Sequence, residues 1–334
     1  VYDKVMAGVK EKGFIAKTLF NIAYESKLEN LHENGDLTHW LWDAIVFSKI
    51  RNVLGGRVKA MLSGAAPLSP AVMDFLRVAF SCEVYEGYGA TETCAGSCIT
   101  VQGDWTTGTI GVPVPCNEVK LVDIPEMGYT SDDKPNPRGE ICVRGNNCFV
   151  GYYKDEEKTK EAIDSDGWVR TGDVGMWDAK GRLCIIDRKK NLFKLAQGEY
   201  IAPEKVELVL SKSMFISQSF VHGDSLKSFL VALVVPDKDY LTKWAAGHSL
   251  ENIEFKDLIK RDEVVNKIME EIKGFGKGGT NELKGFEVPK EIALIEEPFT
   301  VENDLMTPSF KVKRFEVKKR YADVLNGLLA KIKE

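Results

Sequence analysis

Apolar positions recur at mixed helical spacing through the first part of the chain: Phe20, Ala23, Leu28, Leu31, Leu41, Ile45 and Ile50. That spacing predicts helices as far as about Leu54. A short strand follows at Val58 to Leu62, then the small-residue loop Ser63-Gly64-Ala65-Ala66-Pro67-Leu68-Ser69, then an apolar helix from Val72 to Phe80 entered through Pro70. Val84 and Tyr85 read as the next strand, and strand, helix, strand is the grammar of a parallel α/β sheet. From Gly108 to Gly181 proline, glycine and short alternating runs dominate. They predict a β-rich region with strands at Glu118 to Val122, Gly139 to Arg144, Trp168 to Thr171 and Gly175 to Asp178. Beyond Lys190 the pattern is mixed again. A helix opens at Pro203 with Glu204 in its first turn, strands are expected at Ile216 to His222 and Phe229 to Val235, and helices rich in Lys and Glu follow. The last helix carries Tyr321, Val324, Leu325, Leu328, Leu329 and Ile332 on one face.

Composition adds little to that outline. The 334 residues are 44% apolar and 28% charged, an ordinary globular profile. A net charge of −5 gives no reason to expect a nucleic-acid partner. Phe229 to Val235 and the other apolar runs fall far short of the roughly 20 residues that a membrane helix needs. Seven cysteines without a C-x-x-C pair suit a reducing compartment better than a disulfide framework. Cys94 and Cys98 have the spacing to share a helix face, but none of the four histidines lies near them and no metal site is expected there. Gly274 to Thr280 looks like a phosphate loop but does not fit G-x-x-x-x-G-K-[ST], and reads as a surface turn. The chain opens at Val1 inside a helical pattern, which suggests a piece of something longer.

Several short strings could carry chemistry if the reaction is ATP-dependent activation of a carboxylate. In Glu86-Gly87-Tyr88-Gly89-Ala90-Thr91-Glu92, Tyr88 can stack on a base, Thr91 offers a hydroxyl to a phosphate, and Glu92 offers a hard oxygen to Mg²⁺. Asp173, after Thr171-Gly172 at a strand end, can accept two ribose hydroxyls. Ser63, Gly64 and Ala65 leave room for a flat base or an acyl chain beside the backbone. Each string alone reads equally as a structural turn, and Lys311 alone as a basic helix start.

Together, Asp166-Gly167-Trp168-Val169-Arg170-Thr171-Gly172-Asp173 and Ile186 to Tyr200 closely resemble the signature segment of long-chain acyl-CoA synthetases, members of the adenylate-forming, AMP-binding superfamily. Thr307-Pro308-Ser309-Phe310-Lys311-Val312-Lys313-Arg314 resembles the family's last motif, and the likeness runs through nearly the whole chain from about Phe14. The resemblance implies an α/β fold. Residues 1–188 would be the C-terminal portion of the large adenylate-forming domain, with a parallel α/β sheet (1–107) and a β-rich subdomain (108–188). A small mobile α+β domain (189–334) would follow, hinged near Lys190. It further implies that Ser63, Gly64, Ala65, Glu86, Gly87 and Tyr88 surround the adenine, that Thr91 and Glu92 meet phosphate and Mg²⁺, and that Asp173 and Arg188 hold the ribose. Lys194 would approach the phosphates or the carboxylate, Gly198 would line the channel for the pantetheine arm of CoA, Tyr200 would lie near the nucleotide, and Lys311 would be the catalytic lysine.

The implied activity converts a long-chain fatty acid, ATP and CoA into acyl-CoA, AMP and pyrophosphate through an acyl-adenylate. An aryl or short-chain adenylate former and a non-catalytic nucleotide-binding module are the alternatives. The expected setting is the cytoplasmic side, with peripheral association to the endoplasmic reticulum or another membrane; Lys331-Ile332-Lys333-Glu334 is not a peroxisomal S-K-L signal. One departure stands out. The family's Ser/Thr/Gly-rich phosphate loop ending in Pro-Lys-Gly is absent. The chain is therefore expected to be inactive alone and to leave a sheet edge and an apolar face uncovered.

Overall fold

The computed structural model describes residues 2–10, 12–64, 68–248, 250–251, 253–280 and 282–332. The chain forms two compact units, Val1–Ile185 and Ile186–Glu334, where the sequence suggested a division at 188/189.

In the first unit, α1 (Tyr2–Lys10) and α2 (Phe14–Asn34) precede a helical stretch Trp40–Asn52 whose middle, Asp43–Phe47, is a π turn. Helix α3 (Pro70–Phe80) starts as its sequence dictates: Ser69 accepts the Val72 N–H, and Pro70 occupies the first turn. Phe20, Ala23 and Leu31 of α2 pack with Phe47 and with Met73, Phe75, Val78, Ala79 and Phe80 of α3. Charges are buried beside this apolar cluster, Lys27, Asp43 and Arg77. Lys27 is 1% exposed, and its ammonium donates to Asp43 Oδ1 (2.6 Å), Val78 O (2.8 Å) and Ser81 Oγ (2.9 Å). Three donor protons meet three acceptors, so this charge is fully satisfied and ties three helical segments together.

The sheet beside these helices runs β1 (Ala60–Ser63), β2 (Glu83–Tyr88), β3 (Cys98–Ile99), β4 (Val112–Pro113). It is not the parallel sheet expected: β1 and β2 are parallel, but β2–β3 and β3–β4 are antiparallel. The reason is connection length. A helix bridges β1 and β2, whereas the segment between Tyr88 and Cys98 is too short for a parallel crossover. Strand β1 closes one end of the sheet, with Leu62 exposed; Phe14, Ile15 and Trp40 are exposed as well.

A second sheet, antiparallel in its paired strands β5 (Asn117–Val122), β6 (Arg138–Gly145) and β7 (Val169–Trp177), ends in β8 (Leu183–Arg188). Between β6 and β7 lies α4 (Glu156–Ala162). The two strands read from sequence at 168–171 and 175–178 are one continuous strand.

In the second unit, β9 (Phe193–Lys194) and β10 (Tyr200–Ile201) pair antiparallel and lead into α5 (Pro203–Leu210). A three-stranded sheet follows: β11 (Ile216–Gly223), β12 (Leu230–Pro236) and, after α6 (Lys238–Ala246) and α7 (Asp262–Gly274), β13 (Pro289–Leu294). Strand β12 is central and buried along its length. Leu230, Ala232 and Val234 enter a core with α5, α6 and α7; Val231, Leu233 and Val235 enter another with α8 (Arg314–Arg320) and α9 (Ala322–Lys331). Burial on both faces explains the unbroken apolar run. In α9 the buried face is Leu325, Leu328 and Leu329, while Val324 is exposed. No described helix is long and apolar enough to cross a membrane.

Removing one partner of a buried, hydrogen-bonded ion pair costs about 3–5 kcal/mol, whereas exchanging both for apolar residues is often neutral. Lys27→Met should therefore destabilise the chain by about that amount in denaturant unfolding, and Lys27→Met/Asp43→Leu should recover most of the loss.

Candidate functional site

Asp173 owes its position to an irregularity in a ladder. Strands β6 and β7 pair in register at Arg138↔Met176, Gly139↔Gly175 and Glu140↔Val174, and again at Cys142↔Arg170 and Val143↔Val169. Ile141 therefore faces three residues, Thr171-Gly172-Asp173, across a wide bulge. Gly172 permits it with φ +70°, a conformation costly for residues with a Cβ. Thr171 Oγ1 fastens the bulge by donating to Ile141 O (2.8 Å) and accepting the Asp173 N–H (3.1 Å). The bulge turns the Asp173 carboxylate toward β2, where Oδ2 accepts a hydrogen bond from the Tyr88 hydroxyl at 2.7 Å.

Both partners are buried, Asp173 at 8% and Tyr88 at 9% exposure. Burial, then the Asp173 charge, holds the phenol proton well above its ordinary range. Tyr88 was expected to stack on a base; here its ring packs in a core with Cys98, Ile110 and Ile141, and its hydroxyl tethers Asp173.

The rest of the strand-end motif is built tightly. Ser63 of β1 lies opposite Glu86 of β2, and a Cβ on Gly64 would sit 3.5 Å from Gly87 O. Ala65 lies outside the described residues. Glu86 is buried, and Oε1 accepts the Leu68 N–H at 3.1 Å while Oε2 has no hydrogen-bond partner among the described residues. Burial raises this carboxyl above its usual range. Gly89 is required by close approach, since a Cβ there would lie 1.9 Å from Ala95 O.

Thr91-Glu92-Thr93 form a 3₁₀ turn. Thr93 is buried and accepts from Ala90 N and Ser97 Oγ, while Thr91 is exposed. The following loop is pinned from outside: Asn147 Nδ2 donates to Thr93 O (2.7 Å), and Asn117 Nδ2 to Gly96 O (2.7 Å). Cys94 is exposed with φ +47° and Cys98 is buried in β3, so the two share no helix face. Glu92 is half-buried, and its Oε1 accepts from the Tyr152 hydroxyl at 2.7 Å.

In the second unit the expected residues sit on two loops and on the β9–β10 hairpin. Asp187 is 2% exposed and organises the first. Its Oδ1 accepts from Arg188 N (2.6 Å) and its Oδ2 from Glu204 N (3.1 Å), so it caps α5 and fixes the turn that carries Arg188 and the exposed Lys190. Burial, then the nearby Glu204 charge, pushes its carboxyl up to about 6.

Lys194 pairs with Tyr200 across the β9–β10 ladder, its ammonium 5.4 Å from the ring centre. Gly198 makes the intervening turn at φ +93°, donating to Leu195 O (2.9 Å). The turn is anchored by Ala196 N to Lys227 O (3.0 Å) and Gln197 Nε2 to Ser228 O (3.1 Å).

Lys311 occupies the second loop, exposed, in a turn closed by Thr307 N to Lys311 O (2.8 Å) and Lys311 N to Thr307 Oγ1 (3.0 Å). It is a loop residue rather than a helix start. The loop is fixed through Arg314, whose NH1 contacts both Glu207 oxygens at 2.9 Å and whose NH2 donates to Val221 O at 2.7 Å. With NH1 on the carboxylate and NH2 on a backbone carbonyl, the guanidinium plane is held in direction as well as distance.

Sequence reasoning gave no role to Thr171, Tyr152 or Asp187. Thr171 and Asp187 stand inside the signature strings, but each of the three acts on its partner through tertiary contact or bulge geometry.

Among the described residues no group of three His, Cys, Asp or Glu could hold a metal. The donor at the strand-end loop is the single carboxylate of Glu92. That suits Mg²⁺ carried by a nucleotide's phosphates, which takes one or two protein carboxylates, better than a resident metal in a protein cage.

Comparison with known proteins bears on this constellation. Residues 15–153 match the family described as AMP-binding enzyme. The chain is 51% identical over 332 residues to the peroxisomal long chain acyl-CoA synthetase 7 of Arabidopsis thaliana, covering 99% of the chain and 47% of that protein. It is 48% identical over 334 residues to long-chain-fatty-acid–CoA ligase 5 of Mus musculus, covering 100% of the chain and 48% of that protein. The chain thus spans about half the length of the curated relatives it matches. Among solved structures, it resembles the adenylation domain of carboxylic acid reductase from Segniliparus rugosus in complex with AMP and a co-purified carboxylic acid. The TM-score is 0.69 at 33% identity, over 93% of this chain and 45% of that one.

Two outcomes follow from the geometry. A Cβ at Gly172 would meet nothing within 4 Å, so Gly172→Ala should cost only the left-handed backbone term, about 1–2 kcal/mol in denaturant unfolding. Asp187 binds its proton more tightly folded than unfolded. Its contribution to stability is therefore complete below about pH 4 and lost as pH rises through about 6. The stability of the chain relative to Asp187→Asn should fall across that window by at most about 3 kcal/mol, measured by urea unfolding at a series of pH values.

Proposed function

We propose, from the match of residues 15–153 to the AMP-binding enzyme family and the likeness of nearly the whole chain to long-chain acyl-CoA synthetases, that it serves a long-chain fatty acid–CoA ligase. The acid attacks the α-phosphate of ATP to give acyl-adenylate and pyrophosphate, and the thiol of CoA then displaces AMP. The observation that carries this reading is the hydrogen bond that joins the strand-end motif to Asp173 across 85 residues of sequence. It brings two strings of the family signature to one place within a single unit. Asp173 supplies a carboxylate at that place, a group suited to accept ribose hydroxyls.

Thr91, exposed one turn beyond β2, has its hydroxyl for a phosphate, and Glu92 supplies a carboxylate. Mg²⁺ bound with the nucleotide would neutralise phosphate charge at that carboxylate. Lys311 supplies an ammonium for charge that develops as the acid attacks, which is catalysis by positioning and electrostatics. Its loop is rigidly based through Arg314 and Glu207, which suits a group that must be presented in one orientation. Lys190 is the proposed hinge, and the Gly198 turn the proposed path for the CoA arm.

In the full-length protein, Lys311→Ala should lower adenylate formation, read as pyrophosphate exchange, by about 10²–10³-fold. Thiolysis of supplied acyl-AMP should change only a few-fold. Equal loss in both steps would remove Lys311 from the first reaction. Exchange supported by palmitate but not by coumarate or acetate would assign the acid class, and the reverse order would overturn it.

A further inference from the structure

Glu92 does not stand alone. Tyr152, 60 residues away, donates its hydroxyl to Glu92 Oε1 at 2.7 Å, and Phe149 donates its backbone N–H to Glu92 O at 2.8 Å. One short segment therefore grips both the side chain and the backbone of this residue. The Phe149 and Tyr152 rings pack edge-on, 5.0 Å apart at 70°.

The segment is itself fastened to the start of α4. Tyr152 N donates to Thr159 Oγ1 (2.9 Å), Thr159 Oγ1 donates to Asp155 O (2.7 Å), and Asp155 caps the helix by accepting the Lys158 N–H (3.0 Å). Gly151 is demanded by the same fit. Its φ is +145°, and a Cβ there would lie 2.7 Å from Thr159 Cγ2. Such construction goes beyond what a surface tyrosine needs. Glu92 Oε2 has no hydrogen-bond partner among the described residues. One oxygen of the carboxylate is held by the phenol and the other is presented.

We propose that Tyr152 is a positioning residue that fixes the Glu92 carboxylate so that Oε2 meets the divalent cation of the bound nucleotide. The proposal rests on the reading of Glu92 as the cation's carboxylate. The physical gain is preorganisation. A free glutamate side chain loses rotamer freedom worth up to about 1.5–2 kcal/mol when it is ordered, and here much of that ordering is done before the cation arrives. Hydrogen-bond partners of metal-binding carboxylates typically contribute about 10–100-fold in metal affinity or activity.

The test compares full-length wild type, Tyr152→Phe, Thr159→Val and Glu92→Gln by calorimetric titration with ATP in excess Mg²⁺ and with ATP in EDTA. The readout is the ratio of the two dissociation constants. Tyr152→Phe keeps the ring against Phe149 and removes one oxygen, and it should shrink the Mg²⁺ advantage about tenfold. ATP binding in EDTA should be unchanged. Thr159→Val releases the segment one step further back and should shift the ratio in the same direction by less. The Mg²⁺ concentration that half-saturates pyrophosphate exchange should rise in parallel, with the KM for the fatty acid unaltered. A changed ratio in Glu92→Gln with no change in Tyr152→Phe would overturn the role of Tyr152 alone. An unchanged ratio in Glu92→Gln would overturn the reading of Glu92, and the proposal with it.

Discussion

A bulge of three residues against one is the constraint on which the first unit turns. A regular ladder would continue β7 past Ile141 and point Asp173 wherever strand alternation put it. The left-handed Gly172, fastened by the Thr171 hydroxyl, turns the carboxylate toward Tyr88 instead. Two sheets are joined through that hydrogen bond, through others such as Asn117 Nδ2 to Gly96 O and Ile110 N to Leu183 O, and through the core around Ile141 and Tyr88. Bulges commonly re-aim a side chain beside a functional site, and this one does so with the glycine such geometry needs.

The second unit solves a different problem. It must hold two loops in place, one carrying Arg188 and Lys190 and the other Lys311. Each is based on a carboxylate: buried Asp187 caps α5 and ties down the first loop, and half-buried Glu207 holds Arg314 at the end of the second. Burying a carboxylate is costly unless its hydrogen bonds are made, and both are fully engaged. Exposed lysines with flexible stems thus stand on rigid bases.

Much of this was legible in the sequence where it is local. The strand before Ser63, the helix opened by Ser69 and Pro70, the run of β12 and the strings around Glu86, Asp173 and Lys311 are all contiguous patterns with a physical cause. What was not legible is what contiguous patterns cannot encode. Gly172-Asp173 carries turn chemistry, so one strand was read as two; only pairing with β6 reveals a bulge. The parallel sheet was inferred from strand–helix–strand order, but β3 and β4 are two-residue strands too short to leave a periodic trace. The hydroxyl partner of Tyr88 lies 85 residues away, beyond the reach of any contiguous pattern. The Tyr152 contact with Glu92 spans 60 residues and has no sequence signal beyond two adjacent tyrosines.

The central strand of the second unit invites one more thought. Along most strands, polarity polices alignment, because a slip of one residue would bury charges and expose oil. Leu230 to Pro236 has no such guard, since both of its faces are greasy. Only the sizes and shapes of side chains distinguish its two cores, and the irregular pairing between Leu230 and Val231 helps to lock the choice. Swapping residues between odd and even positions here would leave hydropathy untouched and still give two ill-fitting interiors. This strand should therefore evolve by compensated exchanges of volume rather than by independent drift.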